Sequence, residues 1–372
     1  MNITVVTTWL PTAVAPSSGS FVVNDCTAIH QAGADVRIIH LVPPHQDDGT
    51  RHVMLNGMKV LRIPFTPSSP ASVLAVYEPL RRALEGSTIV HSMAMSSLIP
   101  LTVLDICGEM DTHWVHTEHW SGLTNPDTLG PVLTLGRHVI ERLEQRPDVV
   151  TAVCEYLAQP LSRLRHAAPT VVVPCIVEPR TDLTPSPLST EQIAMVSVGG
   201  LVERKNPMMC LETLEALLAL GQDATMTFVG DGPLRAMIDD YCASRSQLAQ
   251  RVTITGIIPH HQVPHYLADA DVFIGPTRGD NFFVSAAEAI VSGRPVVVSD
   301  AGGQTEYVTD TNGRILPIDA NAEQWAHSVV ECVTLARSQG KESAQAIAAT
   351  IGDRFSSSTV GQQYCDIYRQ LL

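Results

Sequence analysis

Short apolar runs alternate with longer amphipathic stretches along almost the whole chain, and this alternation constrains the fold more than any other feature. The runs Ile3–Thr8, Asp35–Leu41, Met58–Ile63, Thr88–His91, Trp114–His119, Val149–Val153 and Thr170–Val177 read as strands. Helical patterns such as Val22–Gly33, Ala71–Glu85 and Leu157–His166 lie between them. Strands that are apolar on both faces and separated by helices predict parallel sheets covered on both sides. The segment Glu178–Thr190, EPRTDLTPSPLST, breaks the texture and reads as a linker. The alternation then restarts with strands at Ala194–Val198, Thr225–Val229, Val252–Thr255, Val272–Gly275, Val296–Ser299 and Arg314–Leu316. Helices are predicted at Pro207–Leu220, Leu234–Ser244 and Val284–Ser292, and the tail from Ala322 to Leu372 reads as helical throughout. The expectation is two doubly wound α/β domains, residues 1–178 and 179–355, with ligands bound beyond the carboxyl ends of the strands in a cleft between them.

Charge and composition narrow the function. The 24 Lys and Arg against 38 Asp and Glu give a net charge of −14, which argues against a nucleic-acid partner. No apolar run reaches membrane-spanning length, and Met93–Cys107 is broken by Ser96, Ser97, Pro100 and Asp105, as in a buried helix. The start MNITVVTTWLP lacks the basic opening of a signal peptide, and the eight cysteines form no C-x-x-C pair. A cytoplasmic, reduced protein without an integral membrane segment is expected. A homodimer is compatible with these features.

The segment from Ala268 to Val308 carries the chemistry. It reads as strand, tight loop, helix, strand and Gly-Gly turn. A loop over Thr277–Phe282 feeds a helix starting near Phe283, whose first N–H groups lack intrahelical partners and suit a diphosphate. Asp280 precedes the helix and Glu288 lies eight residues on. Such carboxylates repel phosphate but accept hydrogen bonds from sugar hydroxyls.

The run Asp280–Ala289, DNFFVSAAEA, resembles the signature of the retaining, metal-independent glycosyltransferases of family 4: an acid, seven residues, then Glu-Ala. Other segments match in family order. Gly199–Gly200–Leu201–Val202–Glu203–Arg204–Lys205 is similar to the phosphate loop, and Phe228–Leu234, FVGDGPL, and Val252–Gly256 are similar to flanking segments. Ser18–Gly19–Ser20–Phe21–Val22 resembles the glycine loop, and His116–Thr117–Glu118–His119 the strand ending in a functional histidine. The resemblance implies the two-Rossmann-domain GT-B fold, with the C-terminal helix 356–372 crossing back to the N-terminal domain. It implies a nucleoside-diphosphate sugar as donor, UDP ahead of GDP, with no metal and no cofactor.

Carried over residue by residue, Glu288 would hold the ribose and Asp280 the donor sugar. Lys205, with Gly199, Gly200 and Arg204 in its loop, would face the diphosphate. The stretch Asp280, Asn281, Phe282, Phe283, Val284, Ser285 would form the binding turn, with the N–H groups of Phe283 to Ser285 on phosphate. Gly19 would admit the reacting centre, and His119 would contact the donor sugar or help organise the transition state. The usual Arg of the phosphate loop is Gly200, the first acid is Asp280 rather than Glu, and the next glycine is Phe283. A small soluble acceptor is expected because helix Ala71–Glu85 offsets Arg81 and Arg82 with Glu78 and Glu85. A sugar-nucleotide 2-epimerase and a non-catalytic nucleotide-sugar-binding protein are the alternatives. Asp269–Ala270–Asp271 imitates a D-x-D metal motif but sits between a helix end and a strand, where capping explains it. His113, His116 and His119 alternate faces in a strand, so one metal cannot take all three.

Overall fold

The structure, a computed structural model, describes residues 1–120, 122–124, 142–166, 168–184 and 192–372. Part of the linker read at Glu178–Thr190 therefore lies outside the described residues. The chain forms two compact units, Met1–Ile176 with Ser356–Leu372, and Val177–Phe355. Among the described residues no helix is long and apolar enough to cross a membrane.

The first unit contains β1 (Asn2–Thr7), α1 (Ser20–Gln31), β2 (Asp35–Val42), β3 (His52–Leu55), β4 (Met58–Pro64), α2 (Pro70–Leu84) and β5 (Ile89–Met93). It continues with α3 (Leu98–Ile106), β6 (His113–Glu118), β7 (Val149–Ala152), α4 (Glu155–Arg165) and β8 (Thr170–Val172). The sheet order is β3-β4-β2-β1-β5-β6-β7-β8. Its pairings are parallel except β3 with β4. Alternate residues of β1 feed opposite faces: Ile3 and Val5 join a core with Val22 and Cys26 of α1, whereas Val6 joins one with Leu80 of α2 and Leu101 of α3. Period-2 alternation with both faces apolar produces such a two-sided core.

The second unit comprises β9 (Ile193–Val198), α5 (Pro207–Ala219), β10 (Ala224–Val229), α6 (Arg235–Ala243), β11 (Val252–Ile254), α7 (Val263–Ala268), β12 (Val272–Gly275) and α8 (Val284–Val291). Then come β13 (Val296–Ser299), β14 (Gly313–Leu316), α9 (Ala322–Gln339) and α10 (Lys341–Ala349). Its order is β11-β10-β9-β12-β13-β14, all parallel. The order reverses between β9 and β12. Loops leaving the carboxyl ends of these two strands therefore diverge and open a crevice within this unit.

The tail departs from a continuous helix. It breaks at Gly340, which has φ 57°, and again before α11 (Ser357–Leu371). Ser356 caps α11, its Oγ accepting the Thr359 N–H at 3.2 Å. α11 belongs to the first unit and packs on α1, burying Val360, Tyr364, Cys365 and Tyr368. Asp271, in the D-x-D imitation, is spent on structure: its Oδ2 accepts from Ala194 N–H at 2.9 Å and Arg337 Nη2 at 2.8 Å.

Candidate functional site

Lys205 follows β9 in a short 3-10 turn, and Asp280 follows β12, so both stand where the second sheet reverses its order. They meet: Lys205 Nζ lies 2.7 Å from Asp280 Oδ2. Arg204 Nη1 reaches the same oxygen at 2.7 Å and the Gly279 carbonyl at 2.6 Å. These cations against one carboxylate leave a net positive charge in the crevice. Burial pulls the Lys205 pKa below the ordinary lysine value against the attraction of Asp280, and Arg204 adds to the fall. Burial alone would raise Asp280, but Lys205 and Arg204 outweigh it and hold the carboxyl at about 2.

Asp280 thus organises the loop. Its Oδ1 accepts the Phe283 N–H at 2.9 Å. This corrects the expectation that the Phe283 N–H faces phosphate. Within α8, the N–H groups of Val284 and Ser285 are the first that lack an intrahelical acceptor. The Ser285 hydroxyl donates to the Val198 carbonyl at 3.0 Å, tying α8 to the end of β9. Asn281 is buried beside Asp280, and Phe282 packs on Tyr307 and Phe355.

Phe283 stands where a glycine was expected, and the structure shows how the chain accommodates it. Its φ is 62°, a left-handed conformation unfavourable for a bulky residue. Its ring is buried against Phe273, and Lys205 Nζ sits 3.9 Å from the ring centroid. The Tyr307 hydroxyl reaches the Phe282 and Phe283 carbonyls at 2.9 and 2.8 Å. Packing and these contacts hold the turn against its strain.

Glu288 lies one turn beyond Val284, on the same face of α8. Its Oε1 is 2.7 Å from His260 Nε2, and the contact raises the His260 pKa. Only the 3-10 turn at His260–Gln262 brings this histidine to α8, so sequence reading missed it. Gly199 has φ 140°, and Gly200 has a negative φ, where a Cβ would meet only ordinary van der Waals contacts with Val202 and the Asp231 carbonyl.

Gly19 and His119 belong to the first unit. Gly19 has φ 64°, and a Cβ there would fall 2.2 Å from the Trp9 carbonyl oxygen, so backbone packing alone demands glycine. His119 follows β6 and its ring lies 4.4 Å from that of Phe21. Burial lowers its pKa to about 4, which keeps the imidazole neutral near pH 7. His116, Glu118 and Glu144 gather nearby with no exposure to solvent. Glu144, 28 positions from His116 in the sequence, carries no local motif that could have announced it.

The depressed Asp280 pKa makes a stability prediction. A carboxyl at about 2 in the folded protein, against its ordinary 3.8, contributes about 2 kcal/mol above pH ~4. That contribution disappears as the pH falls through ~2. Asp280→Asn is expected to lose about this much stability at pH 7, with the gap to wild type narrowing below pH ~4. Urea unfolding across pH checks it.

Two family models match most of the chain. The family model described as Glycosyltransferase Family 4 matches residues 19–181, and that described as Glycosyl transferases group 1 matches residues 192–334. The chain is similar to the GDP-mannose-dependent alpha-(1-6)-phosphatidylinositol dimannoside mannosyltransferase of Mycobacterium tuberculosis. Identity is 34% over 139 residues, 37% of this chain and 35% of that protein. It is also similar to the alpha-D-kanosaminyltransferase of Streptomyces kanamyceticus, at 26% over 175 residues, 47% of this chain and 45% of that one. The matched segments thus span a third to a half of these relatives' length. Among solved structures, sucrose-phosphate synthase from Thermosynechococcus elongatus superposes with a TM-score of 0.77 at 19% identity, covering 100% of this chain and 98% of that one. That likeness shows a shared fold, GT-B.

Proposed function

The chain belongs to the group 1, family 4 glycosyltransferases, and from that premise we propose that it transfers a sugar from a nucleoside-diphosphate sugar to a small soluble acceptor with retention of configuration. One observation carries the reading: Lys205 and Asp280 converge at 2.7 Å on the sheet's reversal point, beside the start of α8. Diphosphate at the N–H groups of Val284 and Ser285 would face Lys205. Glu288, one turn along the same face, is within reach of the ribose once His260 releases it.

The bond from the anomeric carbon to the diphosphate oxygen breaks as charge builds on the leaving group. Lys205 and the helix start stabilise that charge without a divalent ion. The acceptor hydroxyl attacks from the same face, and its proton passes to the departing phosphate oxygen. His119, neutral by burial, is suited to a hydrogen bond with the donor sugar rather than to charge compensation.

UDP stands ahead of GDP as the nucleotide, although one relative's name carries GDP-mannose. A soluble acceptor fits α2, where Glu78 pairs with both Arg81 and Arg82 and no free basic stripe remains. The test is turnover of UDP-, GDP- and dTDP-sugars against aminocyclitol, sugar and phosphoinositide acceptors. Transfer to a soluble acceptor that falls at least about tenfold in Glu288→Ala is the expected result. Transfer only to the lipid would overturn the acceptor. Isomerised donor without acceptor would indicate an epimerase, and tight nucleotide binding without turnover a binding protein.

A further inference from the structure

The first unit holds a cluster that sugar transfer, as proposed above, does not use. We infer that His116, Glu118 and Glu144 form a buried site for one divalent transition-metal ion, with Zn²⁺ the best fit. Among the described residues, one atom from each of these side chains lies within 4.8 Å of the others.

The local sequence explains how the group assembles. His116 and Glu118 stand two apart on β6, so they share one face of the sheet. Glu144 comes from the segment preceding β7, which pairs beside β6 through Val115 and Val149. None of the three is exposed to solvent.

The distances suit an ion better than a hydrogen-bonded network. His116 Nε2 lies 3.4 Å from Glu118 Oε2 and 3.5 Å from Glu144 Oε1. Both are long for hydrogen bonds between charged partners. A tetrahedral Zn²⁺ with N and O ligands at 2.0–2.1 Å separates neighbouring ligand atoms by about 3.4 Å. The imidazole thus already stands at the edge length such an ion needs from each carboxylate, and the two carboxylates lie within 4.8 Å of one another.

The outer contacts aim the ligands inward. His116 Nδ1 is 2.8 Å from Ser92 Oγ, and that hydroxyl also accepts the Trp114 indole N–H at 2.8 Å. Nε2 is thereby the ring nitrogen left to face the carboxylates. Glu118 Oε1 accepts the backbone N–H groups of His119 and Trp120, which turns Oε2 toward His116. Metal-binding side chains are characteristically held this way.

Glu144 provides the independent indication. It is completely buried, and among the described residues neither carboxylate oxygen makes a hydrogen bond, its ion-pair contact being the long 3.5 Å approach of His116 Nε2. A buried carboxylate left so is costly unless a cation meets it. Two carboxylates and a neutral imidazole around a divalent ion sum to no net charge. One nitrogen and carboxylate oxygens, without thiolate, select Zn²⁺ or its first-row neighbours over Ca²⁺. Such an ion would pin β6 to the segment before β7 and steady the turn in which Glu118 holds His119.

The test counts metal on the full-length chain. The protein is incubated with Zn²⁺, or with Co²⁺ as a spectroscopic probe, passed through gel filtration, and its metal content measured together with its melting temperature. The expected result is one ion per chain, with a higher melting temperature than the chelator-treated protein. The Co²⁺ form should show d–d absorption without a thiolate charge-transfer band. Glu144→Gln and His116→Asn should each weaken binding by at least about tenfold. Should neither variant fold, the metal content and Co²⁺ spectrum of the wild type decide the matter alone. Wild-type protein that retains no ion, a thiolate band, or equal binding by folded Glu144→Gln would overturn the inference.

Discussion

Replacing Lys205 with alanine is expected to slow sugar transfer roughly 10–200-fold with the fold intact. A charge-assisted contact to a phosphate is worth about 1.5–3 kcal/mol, and each ~1.4 kcal/mol of transition-state stabilisation is tenfold in rate. Lys205 is placed to make that contact, being partly buried over the Phe283 ring at the crevice where β9 and β12 diverge. Gly200 supplies no second cation in the loop. Arg204 is already committed to Asp280 and the Gly279 carbonyl, so it compensates little. Asp280 keeps Arg204 when Lys205 is lost, so folding should suffer much less than rate. Lys205→Arg should recover part of the loss, because charge returns without the same reach. Steady-state kcat/KM for the donor, read beside thermal unfolding, separates the two effects.

Gly361→Val should produce the largest loss of stability, and in the first unit. A Cβ at Gly361 would lie 2.3 Å from the Ala28 carbonyl oxygen and 2.7 Å from its carbon. Both are backbone atoms of α1, so no side chain can swing aside and α11 must lift. Lifting it disturbs Tyr364 and Tyr368, both fully buried. It also strains a buried polar chain. The Tyr368 hydroxyl shares a 2.6 Å hydrogen bond with His91 Nδ1, and His91 Nε2 lies 2.7 Å from Thr117 Oγ1. Overpacking of this kind costs about 3 kcal/mol, which lowers the melting temperature of a unit this size by roughly 6–12 °C. Calorimetry on wild type, Gly361→Ala and Gly361→Val should show a graded fall.

The α/β architecture was legible because apolar strands and amphipathic helices leave different periods in the sequence. β3 was not: at four residues, His52–Leu55, it is too short to show a period, and its exposed His52 and Met54 belong to an edge strand. The tail read as one helix because its composition is uniformly helix-forming. The breaks depend on the positive φ at Gly340 and on Ser356 as a cap. The positions of Lys205 and Asp280 could be read from their motifs. Their mutual contact could not, because 75 residues separate them and only the order of β9 and β12 joins their loops. Phe283 looked like crowding in a glycine position, and its role as a buried platform under Lys205 needs the left-handed turn to be seen. His260 and Glu144 carry no local pattern at all, since each gains its partner from a distant element.

Binding of nucleoside diphosphates bears most directly on the nucleotide site at the start of α8. Calorimetric titration with UDP, GDP, ADP and dTDP should find one nucleotide that binds once per chain. Glu288→Ala should weaken that binding by about tenfold or more, equivalent to ~1.4 kcal/mol. Failure of all four to bind the folded protein, or unchanged affinity in Glu288→Ala, would contradict a ribose held by Glu288 and a diphosphate held beside Lys205.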